Sequence, residues 1–284
     1  MLVHLAIGDA YGAGFEYADP DFVAAHNTVR GYVQNPGLSG LHPGRYTDDT
    51  QMTIAVAEML LSGASWTQTN LAEQFVRTFH RDQRVGYASN FYDLLCEVSD
   101  GTELLRRIRP HSDKSGAAMR AGPIGLLPAV SDVVQHAEVQ ARITHDTPLG
   151  IEAAQAAALA VHYCHFELGP LADAGRWIDQ KLGSADRWSE PWSGPVGAQG
   201  WMSVRAALTA LSSNTSLTEI LRTCVAFCGD VDTVATVALA AASRSSQVVD
   251  DLPAALHAGL ENDQIGRDFL HTLDARLLAW AENR

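Results

Sequence analysis

The chain has 284 residues, of which 46% are apolar and 19% are charged, so it is long enough to bury a large core. Its formal net charge of -13 is opposite in sign to the charge that binds a phosphate backbone, and we therefore expect no nucleic-acid partner. No segment reaches the ~18 consecutive apolar residues of a membrane span. The N-terminal MLVHLAIGDA also lacks the basic region of a signal peptide, so we expect a cytoplasmic protein with no membrane association.

Apolar residues recur at helical spacing along most of the chain, whereas alternating β-branched runs bounded by turn residues do not recur. The pattern predicts helices over residues 50–62, 69–80, 151–166, 203–212, 217–228, 233–243 and 266–282. Two of them, 151–166 and 233–243, are apolar nearly all round, which is typical of central buried helices. The predicted loops, rich in Gly, Pro, Ser and Asn, are 17–46, 109–125 and 183–200.

The loop over 183–200 has the composition of a linker, but the chemically distinctive motifs lie on both sides of it. We therefore expect one all-α domain over residues 1–284. The cysteines sit in apolar stretches and their spacing completes no zinc site, which predicts reduced side chains in the core. They are Cys96, Cys164, Cys224 and Cys228.

A glycine-rich segment, GDAYGAGFE, occupies residues 8–16. Its glycines permit close approach of two backbones, and Glu16 is an acid in an otherwise apolar run. A first helix that packs tightly against a neighbour explains the glycines equally well. Taken alone, the segment is a weak indication of a functional site.

An acidic cluster, TDDT over residues 47–50, directly precedes the helix predicted over 50–62. One acid there is explained by capping, because acids and hydroxyls accept hydrogen bonds from the free amides at a helix start. Two adjacent carboxylates, however, repel each other unless protons or a cation compensate their charge. The cluster is therefore as consistent with a functional site as with a helix cap.

A second cluster, GDVDT over residues 229–233, precedes the very apolar helix predicted over 233–243. Buried carboxylates are costly unless they are paired or bind metal, and no Lys or Arg occurs between Arg222 and Arg244. Carboxylate and hydroxyl oxygens suit hard divalent cations. Together the two clusters supply enough oxygen ligands for a site that holds two cations.

Two further segments have a possible binding role. SGAAMR over residues 115–120 is a small-residue turn that leads into a helix, and its amides suit a pyrophosphate, although an ordinary loop-to-helix junction has the same pattern. THDT over residues 144–147 enters the helix predicted over 151–166. His145 in this segment either donates a hydrogen bond to a ligand or belongs to a helix cap.

In this order, the five segments resemble the ADP-ribosylglycohydrolase family, and the matching elements run from Gly8 to Ala242. The combination of YTDDT at 46–50 with GDxDT at 229–233 carries the resemblance. It implies a single compact, all-α orthogonal bundle with a dinuclear Mg²⁺ or Mn²⁺ site in a cleft. The family often has Gly-Gly-Asp where this chain has Cys228-Gly229-Asp230.

The resemblance also implies roles for individual residues. The implied metal ligands are Thr47, Asp48, Asp49, Asp230, Asp232 and Thr233. Glu16 matches the family's acid near the metals, and the candidate catalytic residues are Glu16, Asp48 and Asp49. The candidate ADP-ribose-binding residues are Ser115, Gly116, Ala117, Met119 and His145, and the candidates for stacking on adenine are Tyr87, Phe91 and Tyr92.

The implied reaction is metal-dependent hydrolysis of the glycosidic bond between ADP-ribose and a modified acceptor. ADP-ribosylated arginine on protein is the expected substrate, while serine-linked ADP-ribose, O-acetyl-ADP-ribose or another small-molecule conjugate, and nucleic-acid adducts remain open. Hydrolysis of a phosphoester or nucleotide by the same ion pair is a first alternative. Non-catalytic binding of ADP-ribose is a second, and we expect a monomer in every case.

Overall fold

A computed structural model describes residues 1–283, and helices account for nearly all of its regular structure. The α-helices over these residues are α1 (Leu2–Ala13), α2 (Pro20–His26), α3 (Asp48–Leu61), α4 (Gln68–Arg81), α5 (Ser89–Glu97), α6 (Gly101–Arg107), α7 (Gly116–Met119), α8 (Val130–Ala141), α9 (Pro148–His165), α10 (Ala174–Leu182), α11 (Gly200–Ser213), α12 (Leu217–Ala226), α13 (Val231–Ala242), α14 (Ala254–Gly259) and α15 (Arg267–Glu282). Short 3₁₀ helices cover Gly122–Leu126 and Leu171–Asp173, and β pairing within the described part of the chain is limited to isolated bridges. The all-α class predicted from the sequence is confirmed.

The two helices nearest the predicted motifs begin at threonine caps. The Thr47 hydroxyl accepts a hydrogen bond from the Asp49 amide at the start of α3, and the Thr147 hydroxyl accepts one from the Gly150 amide at the start of α9. Pro148 occupies the first turn of α9, where an amide would have no helical partner. These caps explain why both helices begin before the positions that the apolar pattern predicted.

The helices α9 and α13 form the centre of the core. All 12 residues of α13 are buried, and α9 is buried continuously from Ala153 to Cys164. The prediction that these two helices are central is therefore confirmed. Because most of their side chains are small, α1, α11 and α12 pack directly against α13.

The first helix approaches α13 at backbone distance. A Cβ atom added to Gly8 would lie 2.7 Å from the Ala235 carbonyl oxygen, and one added to Gly12 would lie 2.8 Å from the Asp232 amide nitrogen. Neither position accepts a side chain unless a backbone moves. The glycines thus bring the end of α1 beside the start of α13, where the second acidic cluster lies.

Several helices lie outside the predicted set, because their apolar residues do not form a clear periodic pattern; they are α2, α5, α6, α8, α10 and α14. Cys96 near the end of α5 is exposed, so the prediction of a core position is wrong for this cysteine. In α5, Leu95 is the residue that is fully buried, and Cys96 lies next to it on the exposed side. Cys164 and Cys224 are buried, and Cys228 is partly exposed.

Among residues 1–283, every helix is too short or too polar to cross a lipid bilayer.

Candidate metal centre and its cavity

A cavity of about 640 Å³ opens beside the starts of α3 and α13. The predicted site residues that line it are Glu16, Asp48, Asp49, Ser115, Gly116, Met119, His145, Asp230, Asp232 and Thr233. Two other predicted residues, Thr47 and Ala117, lie outside this lining. The fold therefore gathers segments from the beginning, middle and end of the sequence around one space.

Five acids converge at one end of the cavity. Glu16 follows α1, while Asp230 and Asp232 lie at the start of α13, and a carboxylate oxygen of each lies within 4.8 Å of the other two. Asp48 and Asp49 begin α3 and line the same cavity. The two acidic motifs and the glycine-rich segment therefore form a single cluster.

The acids of this cluster are harder to ionise than acids in water. Burial, followed by the charge of Asp230, raises the pKa of Glu16 to about 7. Burial, reinforced by the charges of the other acids, raises the pKa well above its ordinary value at Asp48, Asp49 and Asp232. The cluster therefore retains protons close to neutral pH unless positive charge replaces them.

The donor set fits hard divalent cations. Its ligand atoms are carboxylate and hydroxyl oxygens, which Mg²⁺ and Mn²⁺ prefer over sulfur. The Oδ2 atom of Asp49 is buried and has no hydrogen-bond partner among residues 1–283. Because a buried carboxylate oxygen is costly without a partner, a cation bound here would compensate its charge.

Asp9 is a site residue that the sequence motifs did not indicate. It is fully buried in α1, and it accepts hydrogen bonds of 2.6–3.1 Å from the amides and hydroxyls of Thr47 and Thr50. Burial nevertheless raises the pKa of Asp9 to about 6. Asp9 therefore fixes the start of α3 against α1, and its only signal in the sequence was a lone acid between Gly8 and Gly12.

Two hydroxyl side chains donate hydrogen bonds to acids of this region. Thr47 Oγ1 donates to Asp9 Oδ1 at 2.8 Å, so its hydroxyl proton is directed at α1. Ser203 on α11 donates to Asp230 Oδ2 at 3.1 Å. Ser203 lies in a helix without any distinctive motif, so sequence reasoning had no means of selecting it.

The segment after residue 112 and His145 form another part of the wall. The amides of Ser115, Ala118 and Met119 donate to backbone carbonyls, so the predicted cradle of free amides is smaller than the sequence suggested. The Ala117 carbonyl accepts from Gln140 Nε2 at 2.9 Å, which ties this residue to α8 instead of the cavity.

The outer part of the cavity contains exposed basic and aromatic groups. Arg109 and Lys114 line it and are exposed. Of the three aromatic candidates, Tyr87 and Phe91 line the cavity. Tyr87 is buried with its hydroxyl bonded to Gln51, whereas Phe91 is only half-buried and keeps ring surface accessible.

Comparison with known proteins agrees with the family resemblance of the sequence motifs. The family model described as ADP-ribosylglycohydrolase matches residues 1–283. The chain is 28% identical over 284 residues to the ADP-ribosyl-[dinitrogen reductase] glycohydrolase of Rhodospirillum rubrum, covering 96% of this chain and 92% of that protein. It is 28% identical over 192 residues to the ADP-ribosylhydrolase ARH3 of Mus musculus, covering 62% of this chain and 50% of that protein.

For several curated relatives, including ARH3, the chain spans only about half of their length. A solved structure titled ADP-ribosylglycohydrolase-related protein complex superposes with a TM-score of 0.73 at 23% identity, covering 99% of this chain and 96% of that one. This similarity shows that the two chains share a fold. Since the family match extends over residues 1–283, the chain belongs to the ADP-ribosylglycohydrolase family.

Proposed function

We propose that the protein hydrolyses the glycosidic bond between ADP-ribose and a modified acceptor, and that the acceptor is arginine on a protein. The observation that carries the proposal is the convergence of five largely buried carboxylates at one end of a cavity of about 640 Å³. The relatives named as glycohydrolases and ADP-ribosylhydrolases support the reaction class.

Two divalent cations, Mg²⁺ or Mn²⁺, are the proposed cofactors. The residues that would hold them are Thr47, Asp48, Asp49, Asp230, Asp232 and Thr233. Bound there, the cations supply positive charge that attracts the ribose hydroxyls and makes water more acidic. The unpartnered Oδ2 of Asp49 supports this assignment.

The acids of the chain have two further tasks in the proposed reaction. As the bond between ribose and acceptor breaks, positive charge grows on the ribose ring, and nearby carboxylates stabilise it. Glu16 is the least buried of the five and lies at the edge of the cluster, so it is suited to exchange a proton with the acceptor or with water. Asp48 and Asp49 are the other candidates for this proton transfer.

The remainder of the cavity accommodates the rest of ADP-ribose in this proposal. Ser115, Gly116, Met119 and His145 lie beside the acids and would contact the diphosphate or its riboses. Phe91, with its accessible ring, is the aromatic best suited to stack on adenine. Ala117 would then support the wall through its bond to Gln140 instead of contacting the ligand.

A second cavity supports arginine as the acceptor. It has a volume of about 500 Å³ and shares Glu16 and Tyr17 with the first cavity. Its described lining also includes Asp19 and contains no Lys or Arg. An acidic side chain beside an exposed aromatic ring suits a planar guanidinium, because that group both pairs with carboxylates and stacks on rings.

The test is release of ADP-ribose from arginine-modified protein and, in parallel, from serine-modified peptide, each in Mg²⁺, in Mn²⁺ and in excess chelator. We expect release from the arginine substrate that depends on metal. Release from the serine peptide alone would retain the reaction class but reject the acceptor. If ADP-ribose binds and neither substrate is cleaved, the proposed hydrolysis is wrong.

A further inference from the structure

A buried arginine, Arg120, forms part of the cavity lining beside Thr144 and His145. Arg120 follows α7, and its guanidinium is stacked 4.6 Å from the centre of the Phe75 ring. It donates to Gln140 Oε1 at 2.6 Å and to Thr144 Oγ1 at 2.8 Å. The Gln140 side chain is itself fixed, since its amide nitrogen donates to the Ala117 carbonyl. The guanidinium therefore has one defined orientation.

The Thr144 hydroxyl links this arginine to the histidine of the cavity. Its oxygen lies 2.6 Å from His145 Nδ1, and Thr144 is buried. Because arginine can only donate, the hydroxyl must accept from Arg120, which leaves its single proton for another acceptor. Within residues 1–283 the hydroxyl is bonded only to Arg120 and His145, so we infer that its proton is directed to Nδ1.

The other ring nitrogen of His145 faces the cavity. The residue is only 6% exposed, its ring is part of the cavity lining, and Nε2 has no hydrogen-bond partner within the described chain. It lies beside Gly116, where an added Cβ atom would come within 3.0 Å of the ring carbon Cε1. A ring nitrogen is thus left free at the cavity surface, on the side where a ligand would bind.

We propose that Arg120 and Thr144 are positioning residues that hold His145 as the neutral tautomer with its proton on Nε2, so that this N–H donates to an anionic oxygen of the ligand. The identity of the ligand as ADP-ribose rests on the proposed function, whereas the tautomer does not. Burial and the positive charge of Arg120 lower the pKa of His145 to about 3, which keeps the ring neutral.

This arrangement restricts the role of His145. A ring that accepts at Nδ1 and carries a proton on Nε2 has no free lone pair toward the cavity. His145 therefore acts as a hydrogen-bond donor, and neither as a general base nor as a metal ligand. A phosphate oxygen is the natural acceptor. It is negatively charged, so it accepts a hydrogen bond from the neutral N–H and does not require a protonated histidine.

The experiment is nitrogen-15 NMR of the His145 ring, with titration of ADP-ribose in parallel. The wild type is expected to show one tautomer, protonated on Nε2, from pH 5 to pH 8. Thr144→Val keeps the shape of the side chain but removes the hydroxyl, so we expect mixed tautomers and about ten-fold weaker binding of ADP-ribose. Thr144→Ser restores the hydroxyl and should restore both properties.

The proposal is overturned if the wild-type ring carries its proton on Nδ1 or is doubly protonated at pH 7. It is also overturned if Thr144→Val folds with the wild-type tautomer and affinity. The wild-type spectrum decides the question even if Thr144→Val fails to fold. The proposed function fails separately, through absence of hydrolysis in a protein whose His145 tautomer is as expected.

Discussion

Two buried acids, Asp9 on α1 and Asp49 on α3, differ in the number of hydrogen bonds that their carboxylates accept. Asp9 accepts hydrogen bonds from both Thr47 and Thr50, whereas Asp49 Oδ2 has no partner among the described residues. A carboxylate with several donors stabilises the local backbone, while one without donors destabilises it until a cation binds. Asp9 therefore holds the start of α3 in place, whereas Asp49 remains available for the proposed cation.

Asparagine at these two positions should have opposite effects. Asp49→Asn removes a repelled charge, so the metal-free protein should unfold at the same or a higher temperature, whereas Mn²⁺ should no longer raise that temperature and turnover should fall at least about a hundred-fold. Asp9→Asn removes acceptors from buried donors, which should cost about 1–3 kcal/mol. Thermal unfolding with and without Mn²⁺ measures both effects. Equal loss of metal-free stability in the two variants would contradict this distinction.

Arg84 is a second residue whose charge is satisfied by its surroundings. Its guanidinium lies 4.0 Å from the centre of the Tyr46 ring and pairs with Asp82 and with the largely buried Glu261. Arg84→Met would leave the largely buried Glu261 with only Arg45 and the Tyr46 amide as partners, so we expect a loss of about 1–3 kcal/mol in the free energy of unfolding. Urea unfolding gives the value.

The matched control is Arg106→Met, because Arg106 is exposed and its ion pair among residues 1–283 is with Glu103 in the same helix. This variant should leave the urea midpoint nearly unchanged. A similar loss in both arginine variants would indicate a general effect of charge and not the buried pair at Arg84.

At the scale of helices, the contact between α1 and α13 determines the shape of the site. Gly12→Ala would force the two backbones apart at Asp232, and we expect destabilisation of about 1–3 kcal/mol together with weaker Mn²⁺ binding. Calorimetry of unfolding and titration with Mn²⁺ measure the two effects. Gly31→Ala, where an added Cβ meets nothing within 4 Å, is the control and should change neither.

The sequence predicted the long helices because their apolar faces repeat over several turns. Helices such as α8 and α10 were missed, since they are held in place mainly by packing on α9 that their own residues do not reveal. The acids of the site were predicted because two adjacent carboxylates are conspicuous before a helix. Asp9 was missed because one acid in an apolar run does not reveal which amides it will meet in space.

At the scale of the whole molecule, the buried acids should make metal-free stability depend on pH. Burial raises the pKa of Asp9 to about 6 and that of Glu16 to about 7, and the pKa of Asp232 is raised as well. The folded protein therefore binds more protons than the unfolded chain between about pH 4 and pH 7, and this contribution to stability is lost as the pH rises. Buried histidines with a lowered pKa, such as His145, have the opposite effect, because their contribution to the stability of the protein is lost as the pH falls.

Comparison of the Asp232→Asn variant with the wild type separates the effect of the acids on stability from that of the histidines, because both proteins contain the same histidines. The metal-free Asp232→Asn variant should exceed the wild type in unfolding temperature at pH 7, and the difference should shrink toward pH 4, where the wild-type acids are protonated. Saturating Mn²⁺ should reverse the order at pH 7, because the wild type binds the cation more tightly. A difference that is independent of pH would show that Asp232 is not part of a repelling cluster.

The acids of the cluster lie just after the first helix, at the start of the third and at the start of the thirteenth, and long stretches of chain separate these three places. A cation held by all of them would be a removable cross-link between distant parts of the polypeptide, which a chelator would open as a reductant opens a disulfide. Unfolding of the loaded protein then has to await release of the ion. The rate at which a protease cuts the N-terminal helix consequently reports occupancy of the site and not the intrinsic stability of that helix.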